Sequence, residues 1–349
     1  MALRRDAGAL WVGKQTTKGV AATDMQKRLP LIEGGISPKS ESAMRRFLDG
    51  KRFGKKISFK KTTAVGGEIT LLATPEALAF VESCIHTNDT VTGSSAPYTH
   101  TLTSEADDSA WLTFVQRIGT GDTVLRDKFI DCRVVGYELE GSAGSDDPVT
   151  IKATVIGLTV EAAQAADPTP TDDPADESEP YVWTDIAGSV EVNGDTFRNV
   201  SQLALSVATG EELYFSDDVS AYDIVSGEPS IEVAGTFLVD EDGLALWNQI
   251  QYGSAVPAEG DGITRDELKG ALAWSWSYGA TSALRSASYT LANVTMTTDD
   301  EITPSPEGGA AEISIAGAVE EADDGTAALT VEHKNTDADE YDSAPVVGS

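Results

Sequence analysis

Apolar and polar residues alternate over most of this chain, and such alternation marks half-buried β-strands. One series of alternating segments falls at 8–15 (GALWVGKQ), 67–73 (GEITLLA), 98–103 (YTHTLT), 111–118 (WLTFVQRI), 129–141 (FIDCRVVGYELEG) and 149–158 (VTIKATVIGL). Ile57 and Phe59 alternate with polar neighbours just ahead of the second of these. Another series falls at 197–207, 230–239, 272–278, 288–296, 312–319 and 327–334. The β-branched and aromatic content of these segments and the short turns between them predict a mainly antiparallel β protein. Two segments instead carry helical spacing. Thr74 is placed as an N-cap, Pro75 at the first helical position and Glu76 in the first turn, with Leu78, Val81 and Ile85 facing inward and Phe80 and Cys84 alongside. The second helix is 240–253 (DEDGLALWNQIQYG), with Leu244, Trp247 and Ile250 on one face. Met44, Phe47 and Leu48 also share a helical face, which predicts a short helix over Ser40–Leu48 inside an otherwise irregular stretch from Thr16 to Gly54.

The two series run in the same order around their helices. Leu78 and Leu244 lie 166 residues apart, Trp111 and Trp274 163, and Ile151 and Ile313 162. A duplicated unit is the reading that follows, and halves with different strand orders would refute it. Between them, 161–180 holds seven acids, four prolines and no basic residue, the composition of a solvated linker. The expected fold is therefore two β-sandwich or barrel modules, each with one flanking helix. The first covers 1–160, the acidic linker 161–180 and the second 181–349, with the chain beyond about 336 flexible. At 349 residues the length accommodates two domains.

Charge changes the picture. Residues 1–61 hold fifteen of the chain's 25 Lys and Arg against five acids, a formal +10, while the other 288 residues hold 10 basic and 52 acidic side chains. The whole carries −32. This asymmetry points to a polyanionic partner or to a complementary surface on another copy of the chain. Within the stretch, Lys27, Arg28, Lys39, Arg45, Arg46, Lys51, Arg52, Lys55 and Lys56 are the candidate contact residues. Three readings apply: nucleic-acid contact, a cationic arm that docks on an acidic surface of a neighbouring subunit, or a solvated charge run. Sparse aromatic interleaving and the anionic remainder weigh against nucleic acid and favour the arm. The acid-rich, lysine-poor remainder suits a protein working in concentrated salt, where self-repulsion is screened, and equally an ordinary acidic protein kept soluble by its carboxylates.

Catalytic and ligand-binding signals are weak. His86, His100 and His333 are far apart in sequence, and no H-x-x-x-H or C-x-x-C pair occurs. Cys84 and Cys132 read as two buried thiols and not as a disulfide. Asp240-Glu241-Asp242-Gly243 lacks the spacing of a calcium loop and reads as an acidic helix start. GSAG at 141–144 lies between strands, where no phosphate loop forms. No enzyme, metal or cofactor is expected. No apolar run reaches about 18 residues, and the first residues lack a signal-peptide core, so neither a membrane span nor Sec export is expected.

The ordered set of motifs resembles the tail tube (major tail) proteins of long-tailed, non-contractile phages and related archaeal viruses. The segments that carry the resemblance are 10–23 (LWVGKQTTKGVAAT), 29–41 (LPLIEGGISPKSE), 66–81 (GGEITLLATPEALAFV), YTHTLT, WLTFVQRIG, 127–144 (DKFIDCRVVGYELEGSAG) and 149–158. The second half agrees more loosely, through VEVNG (190–194), 230–253 and the closing strands. The resemblance implies a virion structural protein, assembled in the host cytoplasm, whose sheets join those of neighbours around a lumen. It also implies stacked rings that form the tail tube for delivery of viral DNA, with tail terminator, tape-measure and distal tail proteins as partners. Six modules per ring would mean three copies of a two-module chain. The long early segment, 16–56, would be the arm that reaches the adjacent ring, and an acidic lumen would keep passing DNA from sticking. Two other classes stand beside this reading. One is an acidic surface or adhesion β-protein of a halophile. The other is a carbohydrate-active enzyme using paired carboxylates with Trp274 and Trp276, although alternation gives those rings ordinary core spacing.

Overall fold

The computed structural model describes residues 8–46, 56–103, 109–120, 123–143, 148–170, 179–186, 190–197, 199–216, 220–300, 302, 311–320, 326–338 and 341. The first half contributes β1 (Gly8–Lys14), β2 (Lys27–Leu29), β3 (Leu31–Gly34), β4 (Ser37–Arg46), β5 (Lys56–Leu72), helix α1 (Pro75–Ser83), β6 (Asn88–Thr92), β7 (Tyr98–Thr103), β8 (Leu112–Thr120), β9 (Thr123–Ser142) and β10 (Thr150–Ala162). The second half contributes β11 (Val190–Val192), β12 (Asp195–Phe197), β13 (Val200–Ala208), β14 (Glu212–Tyr214), β15 (Asp223–Val225) and β16 (Ser230–Leu238). Helix α2 (Glu241–Tyr252), β17 (Leu268–Tyr278), β18 (Arg285–Thr297), β19 (Glu312–Val319) and β20 (Leu329–Asn335) complete it. Among the described residues the fold is mainly antiparallel β with two α-helices, as the alternation and the helical spacing predict. Eighteen strands belong to one hydrogen-bonded network, and β14 and β15 pair separately.

Strand pairing shows the repeat directly. In the first half the neighbours run β4-β5-β10-β9-β8-β1-β2. In the second they run β13-β16-β19-β18-β17-β11-β12. The two orders correspond strand for strand, and each half places its helix after the second strand of its list. Strand β10 corresponds to β19 and β20 together: β20 takes the part of the β18 edge, Ser286–Leu291, that β19 leaves open.

The halves interlock. The first part of β9 pairs with β8, and its later part, Gly136–Ser142, pairs with β13 along the same edge. In return β20 pairs with β7, so a strand of the second half completes a sheet of the first. One contiguous hydrophobic core runs through both halves, from Leu10 and Ile69 to Tyr289 and Val331. Gly136 permits the junction, because a Cβ there would stand 2.9 Å from the Val207 carbonyl oxygen. The described ends of the acidic segment are held as well. Asp167 takes hydrogen bonds from Arg117 and Arg126, and Tyr181 lies fully buried with its amide on the Ala73 carbonyl.

Both helices start where their caps place them. The Thr74 hydroxyl accepts from the Ala77 amide at 3.4 Å, and Asp240 accepts from the Gly243 amide at 2.9 Å. The bond from the Gly243 amide, with one from the Asn199 side chain, holds the Asp240 carboxyl below its usual range. Gly253 ends α2 at φ 75°, the left-handed conformation that favours glycine. Helix α1 is buried on every side.

Four sequence expectations need correction. Ser40–Arg46 is strand and not helix, because each residue of β4 finds a cross-strand partner on β5 and that pairing overrides the local helical spacing of the apolar residues; Phe47 and Leu48 lie outside the described residues. The stretch from Thr16 is correspondingly less irregular than expected, since it contains β2, β3 and β4. In α2 the anchor is Leu246, 2 % exposed, whereas Leu244 is 43 % exposed. The helix turns its Gly243–Leu246 side inward, with Trp247 and Ile250 partly buried beside it. Finally, where the chain past 336 is described, it is held at Tyr341, which is buried with its ring edge-on to Phe80 and its amide donating to Asp89; 339–340 and 342–349 lie outside the described residues.

Candidate assembly surfaces

Because β9 pairs with β13, seven strands form one continuous surface in the order β5-β10-β9-β13-β16-β19-β18. One register row across it reads Thr70, Lys152, Glu138, Ser206, Glu232, Ala318, Thr295. The next reads Leu72, Thr150, Glu140, Ala204, Ala234, Ala316, Thr297. Period-two alternation sends the intervening residues, among them Leu139, Leu205, Val233 and Ile315, into the core. The outward rows are thus made mostly of small, hydroxyl and carboxylate side chains. Their one cation, Lys152, stands 3.5 Å from both Glu68 and Glu138, which raise its pKa. A face of this kind offers phosphate groups no apolar rings and no cation beyond Lys152, which two carboxylates already neutralise.

The second surface is a ribbon. Strand β5 leaves β10 after the Val65–Gly157 pair, yet β4 and β5 remain paired out to Arg46 and Lys56. Nine residues of β5, Lys56–Ala64, therefore extend beyond the sheet, about 30 Å of two-stranded hairpin. Of the basic candidates, Lys39 is exposed at its base, opposite Ala64, and Arg45 and Arg46 lie opposite Ile57 and Lys56. Lys51, Arg52 and Lys55 lie outside the described residues. Lys27 and Arg28 are elsewhere, in β2 against β1. Lys27 is 6 % exposed and pairs with Asp337 at 2.8 Å, so it serves the chain's own closure and not an outward contact.

At the corresponding place in the second half, between β13 and β16, the connection carries β14 and β15. This small hairpin lies over the first half, with the Ala221 amide on the Thr63 carbonyl and the Thr63 and Ser220 hydroxyls 3.2 Å apart. Lys18 pairs with Asp223 at 2.6 Å and lies over the Trp111 and Tyr222 rings. Arg133, buried and 4.0 Å above the Trp111 ring, pairs with Glu211.

Polar chemistry in the interior was not legible in sequence. Residues 82, 86, 137, 289 and 333 are distant along the chain but meet beneath α1. Glu82 is fully buried and accepts from the Tyr289 hydroxyl at 2.9 Å, with His333 Nε2 2.5 Å from its other oxygen. His86 Nε2 lies 3.0 Å from the Tyr137 hydroxyl, and burial together with nearby His333 lowers its pKa to about 4. His100 lies beside Asp89 at 2.8 Å; against the cost of burial, that carboxylate and the Asp337 carbonyl raise its pKa. Among the described residues no group of His, Cys, Asp or Glu has the arrangement of a metal site. Cys84 and Cys132 are free and buried, and burial pushes the Cys84 thiol up to about 11. Trp274 and Trp276 are buried, with Trp274 stacked on Tyr289 at 5.0 Å, so neither offers a sugar platform.

Among the described residues no helix is long and apolar enough to cross a membrane. No curated protein matches the chain. A family described as phage tail tube protein matches residues 6–332, spanning both halves of the repeat and both assembly surfaces. The chain belongs to the phage tail tube protein family, and is thereby a structural component of the virion tail.

Proposed function

We propose that three copies close into a ring of pseudo-sixfold symmetry and that such rings stack into the hollow tube through which viral DNA leaves. The observation that carries this reading is the internal junction. Each half supplies four strands to one surface, β3/β4-β5-β10-β9 (β3 and the start of β4 following one another along the outer edge of β5) and β13-β16-β19-β18, and β9–β13 pairing joins them side by side. An analogous side-by-side contact between copies sets the β3/β4 edge of one chain beside the β17–β18 end of the next, where β17 already covers the β18 edge out to Met296. Three copies then give roughly 24 strands and a backbone diameter on the order of 45 Å, wide enough for duplex DNA. Closure also leaves no edge of this surface open for uncontrolled pairing.

In this ring the small-residue and carboxylate face lines the lumen, where it repels the phosphates of the cargo. The basic ribbon extends from the ring and its tip links to acidic surfaces of the adjacent ring, a head-to-tail contact that propagates as a filament. The ends of such a filament meet the tail terminator, tape-measure and distal tail proteins. Arg45, Arg46, Lys51 and Arg52 changed together to Glu should leave the melting transition in place and abolish tubes in electron micrographs. Normal tubes from that variant would remove the ribbon from the account.

A further inference from the structure

The two connections at equivalent positions of the repeat have opposite chemistry. In the first half, 37–66 carries nine Lys and Arg against Glu41 and Asp49. In the second, 209–229 carries six carboxylates and no Lys or Arg. Its β14–β15 sheet turns Leu213 and Ile224 inward and leaves an outer face of Glu212, Tyr214, Asp223 and Val225. Tyr214 is 50 % exposed, Val225 41 % and the adjoining Tyr222 65 %, an unusual concentration on so small an element.

We propose that this outer face is the docking surface for the basic β4–β5 ribbon of a second copy of the chain, the neighbour in the same ring. The inference rests on the ring reading above and concerns the stem of the ribbon, out to Arg46 and Lys56, while its tip goes on to the adjacent ring. The second-half connection reaches back over β5 of the first half through Thr63, Ser220 and Ala221. Applying the same relation one module further round brings the next copy's ribbon over β16, beside the place where 209–229 leaves the sheet. The face already binds one lysine by the required chemistry: Lys18 donates to the Tyr222 carbonyl at 3.2 Å, lies over that ring and pairs with Asp223. Tyrosine rings beside carboxylates attract ammonium and guanidinium groups by cation–π and ion-pair contacts. Charge would then alternate around the ring, each cationic ribbon lying between the acidic hairpins of its own chain and its neighbour's.

Two single-cysteine proteins test this, one carrying Arg46→Cys and the other Val225→Cys, mixed during assembly and oxidised. The native thiols are buried and do not compete. The expected result is a disulfide-linked dimer in the mixture that neither protein forms alone. Rings and tubes without that dimer would overturn the docking surface and leave the ring standing. If the parent protein forms neither rings nor tubes under any salt condition, the ring reading falls and this inference with it. As a check through charge, Glu212→Arg should lower ring yield and Arg45→Glu in the same chain should restore it; a yield unchanged by Glu212→Arg would count against the surface.

Discussion

The two halves follow one strand order, yet their helices do opposite jobs. Helix α1 is enclosed on all sides and sets Glu82 against Tyr289 and His333 of the second half. Helix α2 has a conventional amphipathic arrangement, with Gly243 and Leu246 buried and its acidic start in solvent. The connections above them diverge as well, one a basic ribbon and the other an acidic hairpin rich in tyrosine. A duplicated topology with such unequal parts cannot be exchanged half for half. The first half depends on β20 to complete a sheet, so the chain behaves as one interlocked unit and a ring should repeat by whole chains.

The largest expected effect comes from the polar contacts beneath α1. Glu82→Ala removes the acceptor of two buried groups and should cost on the order of 3–5 kcal/mol in denaturant unfolding. A loss under about 1 kcal/mol would mean that the network does not tie the halves together. The second effect is on pH. His86 titrates at about 4 in the fold against 6.5 unfolded, because it is buried and faces His333. The unfolded chain therefore binds more protons between those values, and this contribution is present above pH 6.5 and lost as pH falls towards 4. The loss should reach at most about 3 kcal/mol. His100 has the opposite sign: its raised pKa stabilises the fold below 6.5, fades only as pH rises beyond that and leaves the acid window to His86. His86→Gln should flatten the stability profile between pH 6.5 and 4, and an unchanged slope would exclude His86 as its source. The smallest effect belongs to the outer helix, where Asp240→Ala removes a cap and should cost about 1 kcal/mol.

Much of the fold was legible because its signals are local. Alternation located most strands, Thr74-Pro75 marked the start of α1, and Asp240 with Gly253 bounded α2. The offsets between Leu78 and Leu244 or Ile151 and Ile313 already carry the repeat, since the first pair takes the fourth position of each helix and the second pair the second position of corresponding strands. What was not legible depends on distant partners. Ser40–Arg46 reads as helical because Met44 shares a helical face with Phe47 and Leu48, and only the facing strand residues Lys56–Thr63 make it β. Lys27 looked like part of an outward arm because its partner, Asp337, is 310 residues away. The Glu82–His333 pair was hidden in the same way by 251 residues. Leu244 was mistaken for an anchor because Leu244, Trp247 and Ile250 satisfy helical spacing as well as the true inward face does.

In the proposed assembly a ring repeats by whole chains and only approximately by halves. Cryo-electron microscopy of assembled tubes, averaged without imposed symmetry, tests it most directly. The expected result is a threefold axis with six similar lobes, alternate lobes differing where the basic ribbon and the acidic hairpin stand. A strict sixfold axis, with one chain in each of six identical lobes, would contradict it.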